Sequence, residues 1–389
     1  MSVEKLLKFA ASRRCTILGI GPMSRTCVEV SVDIANKYDV PIMLIASRRQ
    51  IDSPSFGGGY VNNWTTSEFA NFVESRDQKA NVVLARDHGG PWQNLLEISE
   101  KMTLAKSMES CKRSYENDID SGLSILHIDP SVDPSKSLNV NEILDRIYDL
   151  YEHCWAYAQR TGKQIAFEIG TEEQSGGTNT PAELEYVLEM MKRFTMSNKL
   201  PMPHFVVIQS GTRVMELRNV GSFDSPIRVS GELPVAIQIP LMIDICKKYG
   251  VFMKEHNTDY LSDEALIWHP RLGIHSANVA PEFGAAESMA LIDCLERNRL
   301  NHLSDEFVRI VVDSNKWLKW MLPNSDASNR EKAMIAGHYC FSTVEGSRLI
   351  ALATEDLARL GINLDNVLRN AVERAIMRYL VCFRIITTV

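Results

Sequence analysis

The sequence predicts a (β/α)8 barrel with a helical extension at its C-terminus. Within residues 1–299, a short apolar run, a polar loop and a stretch with helical spacing follow one another eight times. Strands that alternate with helices pair in parallel and are joined by right-handed crossovers. Eight such units in this length favour a closed barrel over an open, doubly wound sheet.

Each apolar run is predicted to form one barrel strand. The runs have the length of buried strands and are bounded by polar or glycine-containing segments. In chain order they are Cys15–Gly21, Pro41–Ser47, Asn81–His88, Leu123–Asp129, Gln164–Thr171, His204–Ser210, Val251–His256 and Gly273–Asn278.

The intervening segments have the spacing of amphipathic helices, as in Val140–Arg160 and Pro181–Thr195. Thr180 precedes the second of these as a good N-cap, and Pro181 takes the first helical position. Residues 1–15 form a short amphipathic helix without a signal-peptide core. We divide the chain into a barrel, residues 1–299, and an extension, residues 300–389, that packs on the barrel or on a partner subunit.

Composition excludes several classes of partner. The chain of 389 residues carries 42 basic and 49 acidic side chains, a net charge of −7. This mild acidity gives no attraction for nucleic acid or for an anionic membrane. The eight cysteines are scattered without a CxxC pair, which indicates reduced thiols and a cytoplasmic protein. We expect no membrane partner, because no apolar run reaches the roughly 18 residues of a spanning helix.

Unusual polar residues follow five of the predicted strands, where barrel enzymes place their chemistry. Each of these strand ends carries a histidine or a carboxylate after an apolar run. The segments are Arg86–Pro91, His127–Ser131, Glu168–Glu172, Lys254–Asp259 and His275–Asn278.

These residues predict a site for one divalent metal ion. Three protein ligands and one open position are typical of a catalytic site, and histidine with carboxylate suits zinc or manganese. We assign the metal ligands to His88, Glu172 and His256, with Asp129 as a fourth ligand or as a partner of a ligand. Zinc is the first choice, and manganese or magnesium are the alternatives.

The remaining polar residues are assigned to proton transfer and to substrate binding. Asp87 and Glu168 are the predicted catalytic residues, because a buried carboxylate can act as an acid or a base. His127 is predicted to be structural. The residues expected to hold the substrate are Ser47, Gln209, Thr212, Lys254 and Asn278.

Five motifs in a fixed order resemble a known family. They are FGGGY (Phe56–Tyr60), RDHGGP (Arg86–Pro91), LHIDPS (Leu126–Ser131), IGTE (Ile169–Glu172) and EHNTDY (Glu255–Tyr260). Together they resemble the subunit family of class II D-tagatose-1,6-bisphosphate aldolase that is usually called non-catalytic. The catalytic class II ketose-bisphosphate aldolases are more distantly similar, and share an Asn-Val-Ala segment, here Asn278–Ala280.

The resemblance implies roles for several residues. His88 and His256 would be metal ligands, Asp87 the acid or base beside the first of them, and Asn278 a substrate ligand. Two positions depart from the aldolase pattern. Glu172 stands near the place of a histidine, and Asp259 lies in a loop that receives a phosphate in the aldolases, where an aspartate would repel it.

Three functions follow as alternatives. The first is a metal-dependent aldolase-type lyase that acts on a ketose or ketose phosphate through a metal-stabilised enediolate. The second is a sugar or sugar-acid epimerase on the same scaffold. The third is a non-catalytic subunit that stabilises a separate aldolase chain. The expected partners are a small carbohydrate and either further copies of this chain or an aldolase subunit.

Overall fold

The computed structural model describes residues 1–171, 178–225 and 233–387. Its eight parallel strands close into one barrel, which confirms the predicted fold class. Every predicted apolar run overlaps one strand, and the third and eighth strands end one residue beyond the predicted runs. The strands are β1 (Ile17–Ile20), β2 (Ile42–Ser47), β3 (Val82–Gly89), β4 (Ile125–Ile128), β5 (Ala166–Ile169), β6 (Phe205–Val207), β7 (Phe252–Glu255) and β8 (Ser276–Val279).

Neighbouring strands around the barrel are also neighbours in sequence, and β1 closes the ring by pairing with β8. In that closing pair Ile17 lies opposite Ser276, and Ile20 lies opposite Val279. A short antiparallel hairpin, Val214–Met215 with Arg218–Asn219, follows β6 outside the barrel. All carboxyl ends of the strands therefore meet at one mouth.

Helices surround the barrel, and their ends agree with the capping residues in the sequence. In α7, Thr180 and Glu183 form a reciprocal capping box. The helices are α1 (Val3–Arg13), α2 (Arg25–Tyr38), α3 (Thr66–Arg76), α4 (Leu95–Ser99), α5 (Leu104–Asp120), α6 (Val140–Thr161), α7 (Pro181–Asn198), α8 (Val235–Tyr249), α9 (Asp263–Leu272), α10 (Pro281–Arg297), α11 (Asn301–Asp313), α12 (Asn329–Ala336), α13 (Val344–Arg359) and α14 (Leu364–Cys382).

The interior of the barrel has an apolar floor and a polar mouth. Ile17, Met43 and Ile125 belong to one buried cluster at the floor, and Leu6 of α1 joins it. Since side chains alternate along a strand, the residue two places after Ile125, His127, faces the same interior. The amphipathic α1 thus covers the end of the barrel opposite the site.

The C-terminal extension packs on the barrel. Helix α14 contacts α2, α9 and α10, and its Ile376 and Tyr379 are fully buried in the main core. Helices α11–α13 build a second core around Phe307 and Leu357. Two apolar contacts therefore cross the boundary at residue 299: α14 packs in the main core, and Leu291 and Leu295 of α10 belong to the second core.

All eight cysteines lie among the described residues, and all are free thiols. In the described part of the chain, no helix has both the length and the apolar character needed to cross a membrane.

Candidate metal centre

The mouth of the barrel gathers charged and imidazole side chains from five strands. Alternation turns one residue in two toward the interior. The inward positions near the strand ends are occupied by Asp87 on β3, His127 on β4, Glu168 on β5, Lys254 on β7 and Asn278 on β8, with His256 directly after β7. Apart from Asp87, which is partly exposed, these residues are buried.

Asp87 and His88 are consecutive, so a regular strand would point them to opposite faces. Two features bring both into the mouth. His88 has a left-handed backbone with φ of 43°, and the pairing of β3 with β4 shifts register between Arg86 and Gly89. A non-glycine residue in this conformation costs about 1–3 kcal/mol and is often found at functional sites. The strain places the His88 ring beside those of His127 and His256, with centroids 5.3 and 5.0 Å away.

Two histidines of this cluster face each other across a short gap. His88 Nε2 lies 3.3 Å from His256 Nδ1. The second nitrogen of each ring is held by a carboxylate: His88 Nδ1 lies 2.6 Å from Asp129 Oδ2, and His256 Nε2 lies 3.1 Å from Glu168 Oε1. Carboxylates in this position fix the tautomer and the orientation of metal-bound histidines.

The donor set fits a divalent metal ion. Two nitrogen ligands of one tetrahedral zinc, each at about 2.0–2.1 Å, lie roughly 3.3 Å apart. The gap between His88 Nε2 and His256 Nδ1 matches that separation, and ligand atoms of His88, His127 and His256 all lie within 4.8 Å of one another. The His127 nitrogen that faces the cluster is Nδ1, because Nε2 faces the backbone of Gly170. Nδ1 accepts from the His88 backbone amide at 3.2 Å and must give up that contact to bind a metal.

A second set, Asp87, His127, Glu168 and His256, has equally close ligand atoms. It fits a metal less well because its atoms already have partners. Glu168 Oε2 accepts from Lys254 Nζ at 2.5 Å, and Asn278 Nδ2 lies 3.0 Å from His256 Nε2. His127, whose Nδ1 accepts from the His88 amide, belongs to both sets, so the engaged atoms of Glu168 and His256 Nε2 make the set of three histidines the better site.

The charges of the cluster follow from its partners. Burial opposes ionisation of Glu168, but Lys254 and the histidines outweigh it and lower its pKa to about 2. The same balance of burial against neighbouring histidines lowers the pKa of Asp129 to about 2 and lowers that of Asp87. Burial also disfavours the charged form of His88, yet Asp87 and Asp129 raise its pKa to about 9. The carboxylates are thus ionised at neutral pH.

Burial lowers the pKa of His256, so this ring is neutral at neutral pH. In the absence of metal, a protonated His88 can donate from Nε2 to Nδ1 of His256. The gap between the two rings therefore holds one proton, and a metal ion that enters must displace it.

Two predicted residues, Glu168 and Lys254, are placed differently from their assigned roles. Lys254 is 1% exposed and lies in the barrel interior, where its only carboxylate partner among the described residues is Glu168. Glu168 is fully buried, and both of its oxygens are engaged. A buried, paired lysine cannot reach a substrate at the mouth, so it neutralises Glu168 and holds that carboxylate against His256.

The other predicted substrate ligands differ in their access to the mouth. Ser47 lines the cavity there together with Asp87 and His88. Asn278 Nδ2 lies 3.2 Å from Asp87 Oδ1, so the amide orients that carboxylate. Thr212 is buried and donates to the backbone oxygen of His256 at 2.6 Å, which is a structural contact. Gln209 is also buried, and its backbone amide donates to Asn179 Oδ1.

Two further predictions concern His127 and Glu172. His127, predicted to be structural, lies inside the cluster and accepts from the His88 amide at 3.2 Å. Applying the alternation from Ile125 to strand β4 would have shown that it faces the interior. Glu172, predicted to be a ligand, lies outside the described residues.

A cavity of about 310 Å³ opens above the cluster. The barrel contributes Asp87, His88 and Asp129 to its wall, and the C-terminal extension contributes Lys319, Trp320 and Tyr339. The extension therefore forms part of the wall of the site.

The position where many barrels bind phosphate is filled in this chain. That position is formed by the loops after the last two strands and a helix N-terminus. Here the Asp259 side chain accepts from the backbone N–H groups of Ala280 and Glu282, each at 2.9 Å, at the start of α10. Burial, with Glu282 nearby, raises the pKa of Asp259 to about 7. These donors are not available to a substrate phosphate.

No family model matches the chain, and no curated protein matches it. Solved structures do. A probable tagatose 6 phosphate kinase from Sinorhizobium meliloti is 15% identical with a TM-score of 0.73, over 94% of this chain and all of that one. The YdjI aldolase from Escherichia coli K12 is 14% identical with a TM-score of 0.53, over 98% and 96% of the two chains. The fructuronate-tagaturonate epimerase UxaE from Cohnella laeviribosi is 10% identical with a TM-score of 0.56, over 94% and 81%. Identities this low show the fold alone, so this chain has a barrel fold that an aldolase and a sugar-acid epimerase also have.

Proposed function

We propose that this chain is a divalent-metal-dependent lyase that cleaves or forms a carbon–carbon bond of a ketose by aldol chemistry. The observation that carries the proposal is the pair of imidazole nitrogens 3.3 Å apart, each on a ring held by a buried carboxylate. Zinc is the proposed ion, held by His88, His127 and His256, with manganese or magnesium as alternatives. A bound divalent cation supplies Lewis acidity to a carbonyl oxygen, which lowers the cost of an enediolate.

The residues of the chain supply positioning and proton transfer. Asp129 and Glu168 orient the two facing rings. Asp87 is ionised, lines the cavity and is oriented by Asn278, so it is the group placed to take a proton from a substrate hydroxyl or carbon. Ser47 lines the same wall and can hold a substrate hydroxyl.

Metal content is the first test. We expect near-stoichiometric metal in the purified protein and its loss in His88→Ala and His256→Ala, with the folded state retained. His153→Ala is the matched control, because His153 lies on α6 and pairs with Glu116 away from the site. Absence of metal after incubation with zinc and with manganese would refute the metal-dependent reading.

Epimerisation is the second candidate, and the Asp259 side chain favours it. Because this side chain fills the usual phosphate position, a bisphosphate substrate fits this barrel poorly. An epimerase acting on an unphosphorylated sugar or sugar acid needs the same enediolate but releases no triose. Solvent deuterium incorporation next to the carbonyl reports the shared intermediate, and a coupled triose assay separates cleavage from epimerisation.

The third reading is a subunit that stabilises an aldolase chain. It predicts no turnover by the isolated protein and obligate association with a partner. Activity of the isolated chain that is lost with a chelator and restored by metal would exclude this reading. Sedimentation of the same sample distinguishes a homo-oligomer from a monomer that awaits a partner.

A further inference from the structure

A second cavity, of about 390 Å³, adjoins the one above the histidine cluster. Four residues line both cavities: Arg49, Tyr60, Lys319 and Tyr339. The two spaces therefore share a wall, and Arg49 and Lys319 stand between them. Arg49 follows the end of β2, whereas Lys319 lies in a 3₁₀ turn, Leu318–Trp320, of the C-terminal extension.

The second cavity is cationic. Arg48, Arg49, Lys316 and Lys319 all line it, and no aspartate or glutamate does so among the described residues. Arg48 is neutralised, because Asp52 and Glu97 lie 3.0 and 2.7 Å from it. The remaining three cations give this space an excess of positive charge.

Arg49 and Lys319 lack the partner that Arg48 has. Within residues 1–171, 178–225 and 233–387, neither has a carboxylate oxygen within 4.0 Å. Arg49 Nε is buried without a hydrogen-bond acceptor. Lys319 Nζ lies over the rings of Trp320 and Tyr339, at 4.6 and 5.1 Å from their centroids. Two cations held side by side at a cavity wall repel each other, and an anion between them would remove that repulsion.

The pKa of Lys319 agrees with a binding position for an anion beside it. Partial desolvation at the cavity wall, together with Arg49 and Lys316, lowers the pKa of Lys319, although its side chain is exposed to solvent. A bound anion would favour the charged lysine. The usual phosphate position of the barrel offers no alternative, since Asp259 fills it.

We propose that Arg49 and Lys319 bind an oxyanion group of the substrate, a carboxylate or a phosphate, at the end of the molecule away from the histidine cluster. Guanidinium and ammonium groups form charge-assisted hydrogen bonds with either oxyanion. The link to a reacting sugar rests on the function proposed above, whereas the anion site itself does not. The substrate class that follows is an acidic sugar with one charged end.

Binding can be tested without turnover, in metal-free protein, by calorimetric titration with three unreactive open-chain probes. D-gluconate carries a carboxylate, D-glucitol 6-phosphate carries a phosphate, and D-glucitol is neutral. We expect one or both anions to bind and the neutral polyol not to bind. Which anion binds identifies the charged group.

Substitutions then locate the site. Lys319→Met and Arg49→Met should each weaken anion binding roughly 10-fold or more, because each removes a charge-assisted hydrogen bond. Lys319→Arg should retain binding, which also shows that the turn still folds. Lys332→Met and Arg160→Met are matched controls, because these cations also lie over aromatic rings, of Trp317 and Tyr157, outside both cavities.

Equal binding of the neutral and the charged probes would overturn the proposal. So would anion binding that is unchanged in both methionine variants, or no anion binding by the parent protein. Since metal content is measured separately, a protein that binds metal but no anion would refute this inference and leave the proposed function standing. A protein that binds the anion but no metal would refute the proposed function and leave this inference standing.

Discussion

Asp129 shows how a residue that is not itself in the three-histidine set can control it. Its Oδ2 lies 2.6 Å from His88 Nδ1, and its Oδ1 accepts from the Ser131 hydroxyl at 2.6 Å. The carboxylate is thereby fixed, and so is the His88 ring. Because both oxygens of Asp129 have partners, the structure favours its predicted role as a partner of a ligand over direct ligation.

Asp129→Asn should lower metal affinity by about 10–100-fold while leaving the fold intact, because the amide cannot hold the ring as an ionised carboxylate does. Competition with a chromophoric chelator measures the affinity. Asp120→Asn is the control, since Asp120 is exposed and accepts from Tyr157 at the surface. Equal affinity of the Asp129 variant and the parent would show that this carboxylate does not orient a ligand.

His127 provides a second prediction at this scale. His127→Ala should weaken metal binding at least about 10-fold, because one of three nitrogen donors is lost. His338→Ala is a suitable control, because His338 is equally buried and its two ring nitrogens have no hydrogen-bond partner among the described residues. If the two variants bind metal alike, His127 is only a core residue.

The sequence could predict most of the cluster but not all of it. Asp87, Glu168, His256 and Asn278 follow from strand position and alternation. The same rule, applied to β4, places His127 in the interior as well. His88 does not, because its direction depends on a left-handed φ that the residue type does not signal. The sequence also could not predict that Lys319 has no carboxylate partner in the described part of the chain, since this depends on contacts between segments far apart in the chain.

At the scale of elements, a buried carboxylate joins two barrel helices. The Ser24 hydroxyl, at the N-cap of α2, donates to Glu287 Oε2 on α10. Both residues are buried, and burial raises the pKa of Glu287 from 4.5 to about 7. The contact between these helices therefore depends on pH.

The sign of this dependence follows from proton linkage. Between pH 4.5 and 7 the folded state keeps a proton on Glu287 that the unfolded state has lost, so stability falls as pH rises through this window. Glu287→Gln should remove this dependence of stability on pH. Relative to that of the parent, the free energy of unfolding of the variant should rise by about 2–3 kcal/mol between pH 5 and pH 8.

Urea unfolding at each pH measures the difference. Glu264→Gln is the control, because Glu264 is exposed in the first turn of α9. A difference between the Glu287 variant and the parent that is constant with pH would contradict the assignment. The elements themselves were well predicted, since caps such as Thr180 and apolar periodicity act locally, whereas the ends of strands and helices differed.

At the scale of the whole molecule, the extension and the barrel share one apolar core. Ile376 of α14 is fully buried in the main core, against the barrel. Ile376→Ala should cost about 2–5 kcal/mol of the free energy of unfolding, as in other cores. The whole chain should still unfold in one transition.

Circular dichroism and tryptophan fluorescence during unfolding provide two probes of that transition. Leu352→Ala on α13 is the control, because Leu352 is 45% exposed and should cost little. Separate transitions for the two probes would show that the extension folds independently. The packing of α14 on α2 and α9 could not be predicted from the sequence. A helical pattern indicates which face of a helix is apolar but not which other helices that face contacts.

The origin of the cavity wall has a consequence for the order in which this protein matures on the ribosome. All three histidines of the cluster precede residue 257, whereas Lys319 and Tyr339 come from the extension. A backbone hydrogen bond at the start of β1 also forms only after the C-terminal helix is made, because the Thr16 amide donates to the oxygen of Phe383. Contacts so distant in sequence form late and slow folding. A nascent chain thus carries all three proposed metal ligands well before it can close the cavity above them, so loading with the proposed metal ion can precede closure.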